Sequence, residues 1–457
     1  MTLITFLEKT TSELEILGFD AKFGQIRITE NEIFVGIKTE NKNKHYDKWN
    51  KPNYFELGQS VGAVISKTKL LELKMSAVDF EYDFVLGALC SQYSFDKYLK
   101  ISDKKLFSIE NNLDQKAKQK LEIMVESIAI TKSVVNEIPA NLYPESYCEI
   151  IQKQIPDVQI FDQKWLKEQG MEATIAVGNG SLHESMMIWA TYKPKGQIKK
   201  KIVLVGKAVT FDSGGNDIKS DMKSMKSDMA GSGTCFGVFC AISKLGLEHT
   251  QIDWISTMAE NVTDGKSYKS DDILSTYSGQ TVEIFNTDAE GRLTLADSLS
   301  FATTLDPDFI VDVATLTGMV SFAITDQFTG LMGNDKNLVD SIESAFLGVN
   351  EKIMPIAMPE SLRSHVKGVH SDLINTAKTR QAGHITAGLF LSHFVDQNLF
   401  RGQNFENLEN PKQYSWAHLD VAGTAFDGKY SKSIGAAATG KNVQGLVEWI
   451  LGQDLQN

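Results

Sequence analysis

The chain has 457 residues, of which 42% are hydrophobic and 23% charged, and its formal net charge is −12. This length exceeds that of one ordinary domain and predicts two, and the composition is typical of a soluble globular protein. The acidic balance, with a pI near 5.3, argues against nucleic acid or an anionic membrane surface as the main partner. No stretch contains the roughly eighteen apolar residues that a membrane span needs.

The cysteines predict a reducing compartment. All four are scattered without the paired spacing of a disulfide framework, and Cys235 and Cys240 share an apolar helical stretch that suits core packing. At the N-terminus, Glu8 and Lys9 come too early for the apolar region of a secretory signal. We therefore expect a cytoplasmic protein.

Residues 1–112 predict a small N-terminal α/β domain. Short strand-like runs at Ile26–Ile28 and Ile33–Ile37 precede helical patterns at Phe55–Ser66 and Glu81–Cys90. Residues 113–135 then predict an amphipathic linker helix, because apolar side chains recur along one face of it. That stripe consists of Leu121, Met124, Val125, Ile128 and Ala129.

Residues 136–457 predict a larger domain in which strands and helices alternate. The predicted strands are Ile202–Gly206, Ile252–Met258, Val282–Phe285 and Phe309–Ala314. The predicted helices among them are Met229–Leu245 and Leu293–Thr304. Nearly continuous apolar strands separated by helices indicate an α/β fold with a mostly parallel mixed sheet flanked by helices.

The stretch Asn286–Leu293, N-T-D-A-E-G-R-L, carries the strongest chemical signal in the chain. It lies between a predicted strand and a predicted helix, where open α/β sheets bind their ligands. If the segment is extended, Asp288, Glu290 and Arg292 point to one side and converge. Converging carboxylates repel unless a proton or a cation neutralises them, and a divalent metal would do so. For an isolated D-x-E-x-R pattern, a capping acid with a surface ion pair would be the better explanation.

A second motif lies upstream, and with it the chain resembles a known family. The motif consists of Val205–Gly215, V-G-K-A-V-T-F-D-S-G-G, followed by Lys219 and by Met225–Gly231. Together with N-T-D-A-E-G-R-L, which matches that family's signature letter for letter, these residues resemble the leucyl aminopeptidase family of two-metal metallopeptidases. The resemblance runs from about Asn136 to the C-terminus.

The resemblance implies a hydrolase that releases N-terminal amino acids, with a preference for leucine-type residues, from peptides with a free N-terminus. A metal-bridged water would attack the scissile carbonyl, and the substrate's free amino group would bind one metal. The cofactors would be two divalent ions, Zn or Mn with Mg or Co also possible, and a bicarbonate near Arg292. The family also implies a cytoplasmic homohexamer.

The resemblance also implies a role for each matched residue. Lys219 would polarise the carbonyl and Arg292 would hold the bicarbonate, so these two form the catalytic pair. The implied metal ligands are Lys207, Asp212, Asp228, Asp288 and Glu290. The implied substrate-binding residues are Met225, Thr315, Leu316, Thr317 and Gly318. The eight histidines form no H-E-x-x-H or other zinc motif.

The chain departs from the family pattern in the loop after Lys219. The loop of residues 220–227 lacks the proline that is usual in the family, and it is two residues shorter than usual. The pair Asn216 and Asp217 is also unusual for the family. Met225 fits a core methionine as well as a pocket methionine. Two other functions stay open: another two-metal hydrolase, such as a Cys-Gly dipeptidase or an amidase, and a DNA-binding or chaperone protein with a dormant site.

Overall fold

The structure is a computed structural model that describes residues 2–16, 18–29, 32–38, 49, 51–100, 106–377, 379, 381–406, 408–427 and 438–456. The chain divides into two compact units, and the main boundary falls between Ala129 and Ile130. The domain bounds expected from the sequence, 1–112, 113–135 and 136–457, stay a prediction. Among the described residues, no helix combines the length and the apolar character needed to cross a membrane.

The N-terminal unit contains a five-stranded sheet in the order β2-β3-β1-β4-β5. Its strands are β1 (Thr2–Leu7), β2 (Ile26–Ile28), β3 (Glu32–Gly36), β4 (Glu72–Met75) and β5 (Ser108–Glu110). Its helices are α1 (Ser12–Ile16), α2 (Tyr54–Ile65) and α3 (Glu81–Cys90). All neighbouring strands are parallel except β2 and β3. The small α/β region expected from the sequence is confirmed.

Helix α4 (Gln115–Asn136) is the amphipathic helix that the sequence predicts. Leu121, Met124 and Ile128 of the apolar stripe are buried, while Glu122 and Glu126 are exposed. The boundary between the two units falls inside this helix.

The larger unit is organised around a nine-stranded sheet. Its strands are β6 (Gln159–Phe161), β7 (Met186–Tyr192), β8 (Lys200–Gly206), β9 (Ala208–Asp212), β10 (Thr250–Asn261), β13 (Phe309–Ala314), β14 (Thr329–Gly333), β15 (Ile353–Pro355) and β17 (Ser415–Asp420). Eight of them are hydrogen-bonded in the order β15-β14-β17-β13-β8-β10-β7-β6, and β9 pairs with β10 outside that order. Strand β8 is parallel to both of its neighbours, β10 and β13, and β13 is parallel to β17. The pairings of β7 with β10, β6 with β7, and β14 with β17 are antiparallel. The mostly parallel mixed sheet is confirmed.

Helices cover this sheet. They are α5 (Pro144–Gln154), α6 (Gln163–Gln169), α7 (Glu172–Gly178), α8 (Ala230–Leu245), α9 (Gly291–Thr303), α10 (Gly318–Ile324), α11 (Lys336–Gly348), α12 (Gly383–Leu391) and α13 (Val443–Leu455). Val203 and Val205 of β8 belong to the same core cluster as Leu299 of α9. Alternation along β8 directs Ile202 and Leu204 to the opposite face, and α8 also packs on this strand. Burial on both faces explains why β8 is apolar throughout.

One predicted strand belongs elsewhere. The apolar run expected at Val282–Phe285 forms only β12 (Thr281–Glu283), and it lies in a separate three-stranded sheet rather than in the main one. It pairs antiparallel with β11 (Ile273–Ser275) and parallel with β16 (Leu373–Ile374). Its partner β16 lies about ninety residues further along the chain, so local periodicity could not assign the strand to a sheet.

Short 3₁₀ segments connect several of these elements. They are Met225–Met229, Glu360–Val366, Ser392–Val395, Gln397–Leu399 and Gln403–Phe405. The first of them leads directly into α8, and it carries one of the acids of the candidate site.

Candidate metal centre

The candidate site lies where several strands of the main sheet end. Lys207 follows β8, Asp212 is the last residue of β9, and Asp228 lies on the 3₁₀ segment before α8. Asp288 and Glu290 lie in the turn that leads into α9. The carboxyl ends of parallel strands meet at one edge of a sheet, which explains how residues from four separate segments come together.

Three of the acids form a compact group. Asp212, Asp288 and Glu290 each offer a carboxylate oxygen, and these three oxygens lie within 4.8 Å of one another. Asp212 and Glu290 are buried, whereas the side chain of Asp288 is 31% exposed. Three carboxylates at this separation repel one another and favour a bound cation.

Lys207 lies beside this group and contacts three acceptors. Its Nζ lies 2.7 Å from Asp228 Oδ2 and 3.0 Å from Glu290 Oε1, and it donates to the carbonyl of Thr315 at 2.8 Å. Burial opposes the charge on Lys207, but the surrounding carboxylates outweigh this effect and raise its pKa above the ordinary value. Lys207 is therefore an ammonium in this arrangement, and it must release a proton before it can donate a lone pair to a metal.

Lys219 neutralises the other side of the group. Its Nζ lies 2.7 Å from Asp212 Oδ2 and forms an ion pair with Asp288. Burial opposes its charge too, yet Asp212 and Glu290 raise the pKa of Lys219 above its ordinary value. The two lysines thus offset part of the repulsion among the acids.

The acids differ in pKa because burial, the two lysines and the neighbouring carboxylates balance differently at each one. Burial raises the pKa of Asp228 to about 6 even though Lys207 opposes the shift. Burial acts on Glu290 in the same direction, but Lys207 and Lys219 together outweigh it and lower the pKa of Glu290 to about 2. Burial, reinforced by Glu290 and Asp228, raises the pKa of Asp212.

The residues fit a divalent metal. Oε2 of Glu290 is buried and has no hydrogen-bond partner among the described residues, so its lone pairs are available to a cation. Four carboxylates also exceed the charge of two lysines. Oxygen donors with one neutral amine are a ligand set that divalent ions accept.

The backbone conformation that brings Asp288 and Glu290 together differs from the expected one. We predicted an extended segment with Asp288, Glu290 and Arg292 alternating to one side, and this is wrong. The segment is a turn, in which Ala289 N–H donates to Asn286 O at 3.2 Å and Asp288 N–H to Asn286 Oδ1 at 2.7 Å. The side chain of Asn286 thus closes the turn locally, and extended backbone cannot form.

Arg292 lies in the first turn of α9. Its Nη1 donates to the carbonyl of Asn375 at 2.7 Å, and its Nε has no hydrogen-bond partner among the described residues. Burial lowers the pKa of Arg292 to about 10, although Glu290 acts in the opposite direction. A buried guanidinium with a free N–H is suited to a small anion.

The loop after β13 borders the cluster. Thr315 Oγ1 donates to Asp228 Oδ1 at 2.7 Å. The next two residues are held by Asp420, which accepts from Leu316 N–H at 3.2 Å and from Thr317 Oγ1 at 2.7 Å. Gly318 begins α10 and is exposed. Met225 begins the 3₁₀ segment that carries Asp228, and it is half-buried.

Three residues that support the site were not identified from the sequence. Asn375 accepts from Phe285 N–H at 2.8 Å and donates to Asn286 O at 2.6 Å. Asn261 donates to Asp212 Oδ1 at 2.8 Å. Asp420 holds the loop just described. Asn261 and Asp420 end strands of the main sheet, which could have indicated them, whereas Asn375 carries no local signal.

The fold and the site together define an α/β protein with a buried cluster of carboxylates and lysines that can hold divalent ions. Comparison with known proteins shows which family the chain resembles. Residues 129–447 match the family described as "Cytosol aminopeptidase family, catalytic domain".

Relatives of this family cover most of the chain. A probable cytosol aminopeptidase of Persephonella marina is 38% identical over 81% of this chain and 74% of its own length. One of Clostridium tetani is 36% identical over 85% and 82%, and one of Wolbachia pipientis is 30% identical over 93% and 85%. The solved structure of the bottromycin maturation enzyme BotP shares the fold, with a TM-score of 0.84, 24% identity and 99% coverage of both chains.

The chain therefore belongs to the cytosol aminopeptidase family. It is a metal-dependent aminopeptidase, and thus a hydrolase that acts on peptides.

Proposed function

We propose that this aminopeptidase releases leucine-type N-terminal residues, and that its metal ligands are Lys207, Asp212, Asp228, Asp288 and Glu290. The observation that carries the proposal is the unpartnered, buried Oε2 of Glu290, which belongs to the group of three clustered carboxylates. A lone pair with no donor in a buried site is costly unless a cation or a proton meets it. Bound divalent ions would supply Lewis acidity and activate water for attack on a carbonyl.

The chain's own residues would then position the substrate and the charge that develops on it. Lys219 already faces the exposed side of the cluster, where Asp288 lies, and it would donate to the carbonyl oxygen of the scissile bond. Arg292 would hold bicarbonate through its unpartnered Nε. Residues Thr315 to Gly318, anchored by Asp420, would line the substrate side together with Met225.

We further propose Zn or Mn as the metals, with Mg or Co as alternatives, and a homohexamer in the cytoplasm. The family membership supports the expectation of metals and of a peptide substrate. The net charge of −12 supports the expectation that nucleic acid and anionic membranes are not partners.

The first experiment measures hydrolysis of leucine 4-nitroanilide after removal of metal and after addition of Mn²⁺ or Zn²⁺. We expect activity only with metal. The N-acetylated substrate should resist cleavage, because the lone pair of its amide nitrogen is delocalised into the acetyl carbonyl and cannot bind a metal as that of a free amine does. Cleavage of the acetylated substrate at the same rate would contradict the proposal.

The second experiment substitutes the ligands. Asp288→Ala and Glu290→Ala should each lower activity by at least about 100-fold, because loss of a ligand exceeds the 10- to 100-fold effect of outer residues. Glu122→Ala, which removes an exposed acid from α4, is the control for loss of charge. Circular dichroism checks that both variants fold, and full activity in either one would refute the assignment.

A further inference from the structure

Asp217 connects two turns of the site: the glycine turn, formed by Gly214 and Gly215, and the turn that carries Asp288. Its Oδ2 accepts from Thr287 N–H at 2.7 Å, and its own N–H donates to Thr287 Oγ1 at 2.8 Å. Ser270 Oγ adds a longer contact of 3.3 Å to the same carboxylate oxygen. Asp217 and Thr287, which lie seventy positions apart in the chain, thus each donate a hydrogen bond to the other.

Thr287 is fully buried, and each of its polar groups has a partner. Its hydroxyl proton has two acceptors within reach, Gly214 O at 2.7 Å and Asp217 Oδ2 at 3.2 Å. Because one proton serves one strong bond, the shorter contact takes it. The N–H of Thr287 then depends on Asp217, since a buried N–H without an acceptor is destabilising.

The same residue is linked to a second acid of the site. The carbonyl of Thr287 accepts from Tyr268 OH at 2.7 Å and from Asn261 Nδ2 at 3.1 Å. Asn261 Nδ2 also donates to Asp212 Oδ1 at 2.8 Å. Thr287 is therefore adjacent to Asp288 in the chain and is connected to Asp212 through Asn261.

The backbone of the glycine turn permits this pairing. Gly214 and Gly215 have φ values of +89° and +62°, which other residues rarely adopt. A Cβ on Gly214 would also lie 2.5 Å from the carbonyl of Asp217. The turn brings Asp217 back against Thr287, and two residues later Lys219 N–H donates to Ser213 O at 2.9 Å.

We propose that Asp217 is a positioning residue for Asp288. Asp217 does not enter the cluster of carboxylates. It holds Thr287 so that the following carboxylate faces Asp212, and it thereby sets the affinity for metal. This inference rests on the proposed function, because it takes Asp212 and Asp288 as ligands.

The test compares Asp217→Ala, Asp217→Asn and the control Asp221→Ala. Asp221 is an exposed acid in the same loop whose Oδ1 accepts only a local bond from Lys223 N–H among the contacts described. The control removes the same charge without touching Thr287. Metal affinity is measured by competition of a chelating dye for Mn²⁺ or Zn²⁺, and amide hydrogen exchange is followed in residues 285–293 of the metal-free protein.

We expect Asp217→Ala to weaken metal binding by about 10- to 100-fold, as residues that orient ligands do, and to raise exchange in residues 285–293. At saturating metal, kcat should recover and KM should stay close to that of the unsubstituted protein. Asp217→Asn should recover part of the affinity, because its amide oxygen can still accept from Thr287 N–H. Asp221→Ala should change neither readout.

Equal metal affinity in Asp217→Ala and the unsubstituted protein would overturn this inference alone. Equal weakening in Asp217→Ala and Asp221→Ala, with unchanged exchange, would overturn it too, since charge and not position would then be responsible. Absence of metal binding in the unsubstituted protein would instead refute the proposed function, and the inference with it.

Discussion

At the scale of single residues, Gly291 shows how closely the site is packed. It begins α9 directly against Lys207, and a Cβ on Gly291 would lie 2.3 Å from Lys207 Cε and 2.6 Å from its Nζ. Lys207 cannot move aside freely, because its Nζ contacts Asp228, Glu290 and the carbonyl of Thr315. A glycine is required here by the approach of a side chain rather than by backbone conformation.

We therefore predict that Gly291→Ala displaces the amino group of Lys207 and lowers activity by about 100-fold, the effect of misplacing a catalytic group by roughly 1 Å. The melting temperature should also fall, because displacement of Lys207 weakens its buried ion pairs with Asp228 and Glu290 by more than the helix preference of alanine offsets. Steady-state kinetics and calorimetry test this. Gly265→Ala, where a Cβ would meet nothing within 4 Å, is the control, and wild-type kinetics in Gly291→Ala would contradict the prediction.

Asp297 is a buried acid of α9 that the catalytic proposal does not use. Its Oδ2 accepts from Thr174 N–H and Thr174 Oγ1, both at 2.8 Å, and its Oδ1 accepts from Tyr277 N–H at 2.8 Å. Burial raises the pKa of Asp297 to about 7 despite these hydrogen bonds. Protonation therefore favours the folded state relative to the unfolded chain, whose Asp has the ordinary pKa of 3.8.

The sign of the pH dependence follows from this difference. Below pH 3.8 both states are protonated, and between 3.8 and about 7 only the unfolded state has lost the proton. Stability contributed by Asp297 thus falls as the pH rises through this range and is constant above it. From pH 5.5 to pH 7 the loss is about 2 kcal/mol, at about 1.36 kcal/mol for each pH unit.

We predict that the unfolding free energy of the unsubstituted protein, relative to that of Asp297→Asn, decreases by about 2 kcal/mol between pH 5.5 and pH 8. Denaturant unfolding at the two pH values measures it. The variant loses stability at every pH, since an amide group cannot accept all three bonds, and only the change in the difference is diagnostic. A difference independent of pH would show that Asp297 does not titrate in this range.

At the scale of elements, helix α13 depends on an acid from elsewhere in the same unit. Glu351 accepts from Asn442 N–H at 2.8 Å through Oε1 and from Gly445 N–H at 3.0 Å through Oε2. Asn442 precedes the helix with φ of 73° and makes no side-chain cap. The N-terminus of α13 is therefore capped by a residue ninety positions earlier in the chain.

We predict that Glu351→Ala lowers the unfolding free energy by about 1–2 kcal/mol, the usual effect of losing a cap. Glu351→Gln should lose less, because its amide oxygen still accepts one of the two bonds. Thermal unfolding measures both variants. Equal stability of the alanine variant and the unsubstituted protein would show that water replaces the carboxylate.

Elements of strong periodicity were predictable, and those with nonlocal partners were not. Helix α4 (Gln115–Asn136) lies within two residues of the expected segment at each end, and α8 and α9 begin within two residues of the expected positions. By contrast, the sheet that contains β12 depends on the distant strand β16. The turn at 286–290 is closed locally by Asn286, and the distant Asn375 adds a further hydrogen bond to it. Hydrophobic patterns report which face is buried, but not which distant segment covers it.

At the scale of the whole molecule, we predict that the protein sediments as a hexamer, with six times the chain mass of 50.7 kDa. Sedimentation velocity across a range of concentrations measures this, with and without metal. A monomer at every concentration would contradict the expectation drawn from the family resemblance, while activity of that monomer would leave the proposed chemistry intact.

The sequence by itself determined which family the protein belongs to and which residues are proposed to carry its chemistry. Eight consecutive letters at 286–293 and the motif around Lys207 and Asp212 identified the family, because metal chemistry restricts both the types of residue and their spacing. The alternation of apolar strands and helices determined the mostly parallel sheet. These properties are encoded locally, and each can be inferred from a short window of the chain.

Only the tertiary structure decided how those residues are arranged. It placed Lys207 among three acceptors and paired Lys219 with two acids. It also brought Asp217 against Thr287, and Asp420 beneath the loop after β13. The physical reason is that hydrogen bonds and charge pairs act through space. Their partners lie up to about a hundred residues apart, where no periodicity of the sequence connects them.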